Sequence, residues 1–217
     1  MTKVVVILPC RGRHEQTLEC VRRMVATAGL PHNQAWKMVL VGGSNDEEVI
    51  SDVSKKIGVY GLVESEPQLT YWTALQRATN DFPAEYYACI ANDLLPVVNW
   101  LSSAVHKMQV TFNDGVGMVG FNGDGYSENH SAHFLISKTL LDSLGGWPVW
   151  YSHNFGDTEL CIRAKNMGRY TKSPWSVLFH NHPWISAHAD DEVYAQGRSR
   201  FSVDQALFTE RQNNGWK

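Results

Sequence analysis

Asp157 opens a stretch, Asp157–Thr–Glu–Leu–Cys–Ile–Arg–Ala–Lys–Asn–Met–Gly168, whose spacing is helical. Leu160, Ala164 and Met167 fall on one apolar face, and Glu159 and Arg163, four apart, can pair on the other. Gly168 is where such a helix should stop. Asp157 then stands at the helix start, where two roles compete. One is an N-cap, with the carboxylate accepting a backbone N–H. The other is a general base, kept ionised by the helix dipole and able to take a proton from a hydroxyl. Glu159, in the same first turn, is the next carboxylate for that role. Asp93 and His180 offer an oxygen and a nitrogen to a divalent ion such as Mn²⁺ or Mg²⁺, although Asp93 could instead cap the following helix. His182 lies two residues beyond His180, and His180 is the one expected to reach the metal. Arg11 and Arg13 follow an apolar run and could pair with a diphosphate. Arg163, Lys165, Arg169 and Lys172 form either a small basic patch or a solvated helix face.

These residues need a scaffold, and the chain spells one. Lys3–Leu8 and Met38–Val41 are short, β-branched runs of the kind buried on both faces in parallel sheets. A helix is expected from about His14 to Ala28. Ser44 with Glu47 reads as a capping box that starts another. Further strands are expected near Val59–Val63, Tyr86–Ala91, Val116–Phe121, His133–Ser137 and Val177–Phe179. Helices are marked by Tyr71–Ala78, Trp100–Met108 and, in the tail, Val203–Arg211. Strand–helix alternation of this kind predicts an α/β fold. In such sheets ligands bind beyond the carboxyl ends of the strands, where the polar residues named above collect. With 217 residues, 43% hydrophobic and 19% charged, the chain can bury a full core. A net charge of −3 without runs of like charge argues against wholesale nucleic-acid binding. The four cysteines, Cys10, Cys20, Cys89 and Cys161, show no metal or disulfide spacing and read as reduced thiols. No apolar run is long enough to span a membrane, and no signal peptide is read at the start. A cytoplasmic protein is expected.

The order of these features resembles a GT-A glycosyltransferase of the family 2 type, from residue 3 to about 183. Pro9–Arg13 matches the loop after the first strand, and Gly42–Asp46 loosely matches the acidic loop after the second. Ala91–Asn–Asp93, with Pro96 and Trp100–Leu101, matches the metal motif and its following helix. Gly145–Gly–Trp147 matches a turn before the base helix. Asp157, Leu160, Arg163 and Gly168 match the base helix, and Phe179–His180 a late strand. Asp93 is the only carboxylate left in the metal motif, and Gly42, Gly43 and Gly156 replace acidic residues.

The resemblance implies a mostly parallel, Rossmann-like sheet flanked by helices in a single domain (1–183), with a flap and helical tail at 184–217. It implies inverting transfer from a nucleotide-diphosphate sugar to a hydroxyl, with Asp157 as base and Asp93 and His180 holding Mn²⁺ or Mg²⁺. Pro9, Arg11, Arg13, Gly43 and Asn92 would line the donor site. The irregular Asn122–His133 segment would sit near the acceptor or sugar, and Trp184–Arg200 would close over the donor. The acceptor could be a glycan, a protein, a small molecule or a modified nucleic-acid base, the last suiting a viral protein acting in host cytoplasm. The alternatives are a non-catalytic nucleotide-sugar binding module and a sugar-phosphate nucleotidyltransferase. The latter should carry a Gly-rich loop with Lys after the first strand, which Pro9–Arg13 does not supply.

Overall fold

A computed structural model describes residues 3–181 and 191–217. Strand β1 (Val4–Pro9) is the axis of the fold. Its side chains alternate between two cores, as the period of a strand requires. Val4, Val6 and Leu8 face one; Val5 and Ile7 face the other. Both faces must therefore be covered, and helices cover both. On the first lie α1 (His14–Thr27), α2 (Glu47–Ile57) and α4 (Trp100–Thr111), through residues such as Val21, Ile50 and Trp100. On the second lie α3 (Tyr71–Asp81), α5 (Lys138–Ser143) and α6 (Gly156–Asn166), through Trp72, Leu140 and Leu160.

The other strands are β2 (Trp36–Gly42), β3 (Tyr60–Val63), β4 (Tyr86–Cys89), β5 (Leu94–Pro96), β6 (Met118–Asn122), β7 (Phe134–Ser137) and β8 (Tyr170–His180). They form one eight-stranded sheet in the order β3-β2-β1-β4-β7-β6-β8-β5. Four of its seven pairings are parallel: β1 with β2, β1 with β4, β2 with β3, and β6 with β8. β7 runs antiparallel to both neighbours, and β5 antiparallel to β8. This is the α/β sandwich expected from the sequence, with a mostly parallel sheet in a single domain. The four cysteines are free and buried. Among the described residues no helix is long and apolar enough to cross a membrane.

Several local expectations change. β8 spans eleven residues, not three, because a register shift against β6 absorbs the polar Lys172–Ser176 stretch. β5, α5 and the helix α7 (Glu192–Ser199) are additional elements. Ser44 begins a short 3₁₀ turn, Ser44–Asp46, and makes no side-chain cap to α2. The tail helix α8 (Phe201–Asn213) packs Leu207 and Phe208 against the second core.

Candidate active site

A cleft of about 550 Å³ opens beyond the carboxyl ends of β1 and β4. Pro9, Arg11, Arg13, Asn92, Asp93, Asp157 and His180 all line it, although they come from four separate parts of the chain. Gly43 does not line it. A Cβ on Gly43 would sit 2.4 Å from the Glu66 carbonyl oxygen, so this glycine permits close approach of the 66–67 backbone. Ser44 and Asn45 then donate their N–H groups to the carbonyls of Glu66 and Pro67. From the same loop buried Asp46 accepts the Gly12 N–H at 2.7 Å, tying the loops after β1 and β2 together.

Asp157 stands on one wall. It is not the helix cap: that position is Phe155, held at φ 67° without a side-chain cap bond, and Asp157 is the second residue of α6. Gly156 is required between them, because a Cβ there would lie 2.4 Å from the Trp72 ring. The residues before Phe155 are fixed from the tail. Asp204, buried on α8, accepts the backbone N–H groups of Ser152, His153 and Asn154 at 2.9, 2.9 and 2.8 Å. His130 Nε2 lies 3.3 Å from Asp157 Oδ2. Burial opposes ionisation of Asp157, but the His130 contact and charge, the Thr158 N–H and His133 outweigh it and hold the carboxyl below its usual range. Glu159 does not face the cleft. It is fully buried beneath α8, bound by Arg163, Arg211 and the Tyr151 hydroxyl.

His130 is delivered by the 123–132 loop, which is built around a buried cation. Lys172 Nζ contacts Asp124 Oδ1 and the carbonyls of Tyr126 and His130 at 3.0, 3.0 and 3.1 Å. Asp124 Oδ2 accepts from Ser131 Oγ and the Ala132 N–H. Lys172 is thus no part of a basic patch. Arg163 is spent on Glu159, Arg169 on Asp114 and Lys165 on Asn129.

Asp93 stands on the other wall, 6% exposed. Its Oδ2 lies 3.3 Å from His180 Nε2 and accepts the Tyr194 hydroxyl at 2.9 Å, while Oδ1 has no hydrogen-bond partner among the described residues. Burial works against the charge, but the His180 bond and charge, His133 and Tyr194 hold this carboxyl far below its ordinary value. Asp93 is not a helix cap either: Asn99 holds that position for α4. Asn92 turns its amide inward to Thr17 Oγ1 at 2.9 Å. Arg13 is clamped by both oxygens of Asp191 at 2.7 Å and lies over the Tyr194 ring. Arg11 is differently placed: its buried Nε has no partner among the described residues. Helix α7 therefore closes one side of the cleft through Asp191 and Tyr194. Residues 184–190 of the expected flap, and His182, lie outside the described residues.

The sequence matches no protein-family model, and no curated protein matches it. Solved structures do resemble it. A mannosyltransferase from Pyrobaculum calidifontis, in complex with GDP-Man and Mn²⁺, superposes with a TM-score of 0.66 at 17% identity. The match covers 81% of this chain and 56% of that one. This is a GT-A glycosyltransferase fold. The catalytic domain of Drosophila beta1,4galactosyltransferase 7, complexed with xylobiose, matches with a TM-score of 0.58 at 14% identity, over 92% of this chain and 81% of that one. S. aureus TarS matches at 0.60 and 11%, over 82% and 36%. The chain thus spans about half of the mannosyltransferase and about a third of TarS.

His130, His133 and Tyr194 were not singled out from the sequence. The first two lie in or beside the irregular segment, and a loop has no periodicity to reveal its inward side chains. Tyr194 reaches Asp93 from 101 positions away.

Proposed function

We propose that this protein moves a sugar from a nucleotide-diphosphate donor to an acceptor hydroxyl, with inversion at the anomeric carbon. One observation carries the reading: an ionised carboxylate, Asp157, shares one cleft with a second carboxylate, Asp93, that has an oxygen to spare. Asp157 would take the proton of the acceptor hydroxyl. The acceptor oxygen then bonds to the anomeric carbon from the face opposite the diphosphate. The bond from that carbon to the diphosphate oxygen breaks, and the electron pair leaves with the diphosphate. His130 holds Asp157 in its ionised form, and Arg11 offers an unspent N–H to the donor side of the cleft.

Asp93 and His180 would hold a divalent ion. The fit rests on the unpartnered buried Oδ1 of Asp93 beside an imidazole, an oxygen–nitrogen set suited to Mn²⁺ or Mg²⁺. Among the described residues no group of three or more ligating side chains gathers, so diphosphate oxygens and water would complete the shell. When bound, such an ion offsets charge developing on the leaving diphosphate. The Mn²⁺ and GDP-Man of the Pyrobaculum structure support this choice of donor class and metal. The acceptor stays at the level of a hydroxyl on a glycan, protein, small molecule or modified nucleic-acid base. We also infer a reducing, cytoplasmic setting, supported by four buried free thiols.

The test is incubation with UDP- and GDP-sugars and Mn²⁺, with release of free nucleoside diphosphate as the readout. Release that disappears in Asp157→Asn is expected. Donor binding with no release and no transfer to any acceptor in a glycan and nucleic-acid panel would make the protein a binding module instead.

A further inference from the structure

His133 is a buried cleft side chain without an assigned task. It is 5% exposed and lines the cleft, yet neither ring nitrogen has a hydrogen-bond partner among the described residues. Leaving buried polar atoms unsatisfied is costly, and folded proteins rarely do so without a reason. The main chain around it is fixed: the His133 carbonyl accepts from the Phe121 N–H at 3.0 Å, and Ser131 Oγ lies 2.6 Å from the same carbonyl oxygen. The ring packs edge-on against His180, with centroids 5.0 Å apart. The imidazole is therefore held rigidly while its polar atoms are left for something that enters the cleft.

Position and hydrogen-bonding capacity indicate what enters. His133 lines the same cleft as Asp93 and Asp157, and its ring touches that of His180, whose Nε2 lies 3.3 Å from Asp93 Oδ2. It therefore borders the space shared by the proposed metal pair and the proposed base, where the transferred sugar ring would lie. A neutral imidazole offers one N–H donor and one bare acceptor nitrogen, the complement of a sugar hydroxyl. Resting on the glycosyl-transfer reading, we infer that His133 is a sugar-binding residue that hydrogen-bonds a free hydroxyl of the transferred sugar and so helps select the donor. A donor whose sugar is deoxygenated at that position would leave the ring unpaired and be rejected.

The test compares affinities by calorimetry in Mn²⁺ for UDP, GDP, UDP-glucose, UDP-galactose, UDP-N-acetylglucosamine and GDP-mannose. His133→Phe keeps an aromatic ring and removes both nitrogens. It is expected to leave nucleoside-diphosphate affinity within about twofold and to weaken the best nucleotide sugar about tenfold. His133→Gln should recover part of the loss, and His133→Leu carries the same comparison if the Phe variant does not fold. Equal weakening of nucleotide and nucleotide sugar, or no change in either, would overturn the role. Loss of Mn²⁺ binding alone in the variant would do so too, by making His133 a metal ligand. Wild-type protein that binds none of the nucleotides or sugars would overturn the glycosyl-transfer reading itself, and the His133 role with it.

Discussion

Single substitutions at Asp157 and His130 reach the proposed chemistry most directly. Asp157→Asn keeps size and removes the basic oxygen. Because Asp157 is not a helix cap and, among the described residues, pairs with no charged group but His130, folding should change little. Transfer should fall roughly 10²–10⁴-fold, the usual worth of a general base, with donor binding intact. Removing His130 tests the same carboxylate from the other side. His130 lowers the Asp157 pKa, so His130→Ala should raise it. On the proposed reading Asp157 acts when ionised, so the acidic limb of the kcat/KM profile should move to higher pH. A limb that stays in place would detach His130 from the base. Asp93→Ala should weaken Mn²⁺-dependent donor binding while the protein still folds, and unchanged binding would remove Asp93 from the metal site. Asp93, Asp157, His180 and Arg11 were legible because each follows a strand end or opens a helix, where local pattern marks the place. Their partners His130, His133, Asp124 and Lys172 were not, because a buried Lys–Asp pair has the same letters as a solvated one.

Elements that the sequence misjudged are those whose identity is decided by packing. β5 is three residues ending in proline, and exists because β8 offers it an edge. β8 breaks its alternation at Ser173–Ser176, where the chain bulges and Ser176 Oγ bonds Ser173 Oγ at 3.0 Å. The central strands and α1, α3 and α4 were plain, since continuous β-branched runs and 3.6-residue periods carry their own signal. α6 was half legible: Leu160, Ala164 and the Glu159–Arg163 pair are as expected, but Met167 is exposed and Glu159 turns inward. That inward turn has a consequence for α6 as a unit. Burial pushes the Glu159 pKa up, and Arg211 and Tyr151 with Arg163 pull it below its usual value. A depressed carboxyl contributes stability above its unfolded pKa, about 4.3, and loses it as pH falls through the folded value. Arg211→Leu should therefore cost about 3 kcal/mol at neutral pH, as breaking a buried pair does, and shift acid unfolding to higher pH. Urea titrations at several pH values read both effects.

At the scale of the whole molecule, the tail is where the sequence and the folded chain suggest different things. Read along the chain, residues 184–217 look like an appendage to a finished sheet. In three dimensions α7 and α8 hold four buried or half-buried groups of the remainder. Tyr194 bonds Asp93, Asp191 clamps Arg13, Asp204 takes three N–H groups of the loop before α6, and Arg211 neutralises Glu159. Phe208 and Phe201 also pack on Phe155, whose strained backbone sets the direction of α6. Ending the chain at Asn181 strips all of these at once. Glu159 keeps Arg163 and the Tyr151 hydroxyl but loses its Arg211 partner, and the N–H groups of Ser152, His153 and Asn154 lose their shared acceptor. With a net stability of only roughly 5–15 kcal/mol, a domain tolerates few such losses at once. The truncated chain is expected to lose its cooperative urea transition. Truncation after Ser199, which keeps α7 and removes α8, should be nearly as damaging, because Asp204 and Arg211 both lie on α8. If either shortened chain melts like the full one, the tail is a separable flap and Asp157 is positioned by the sheet alone.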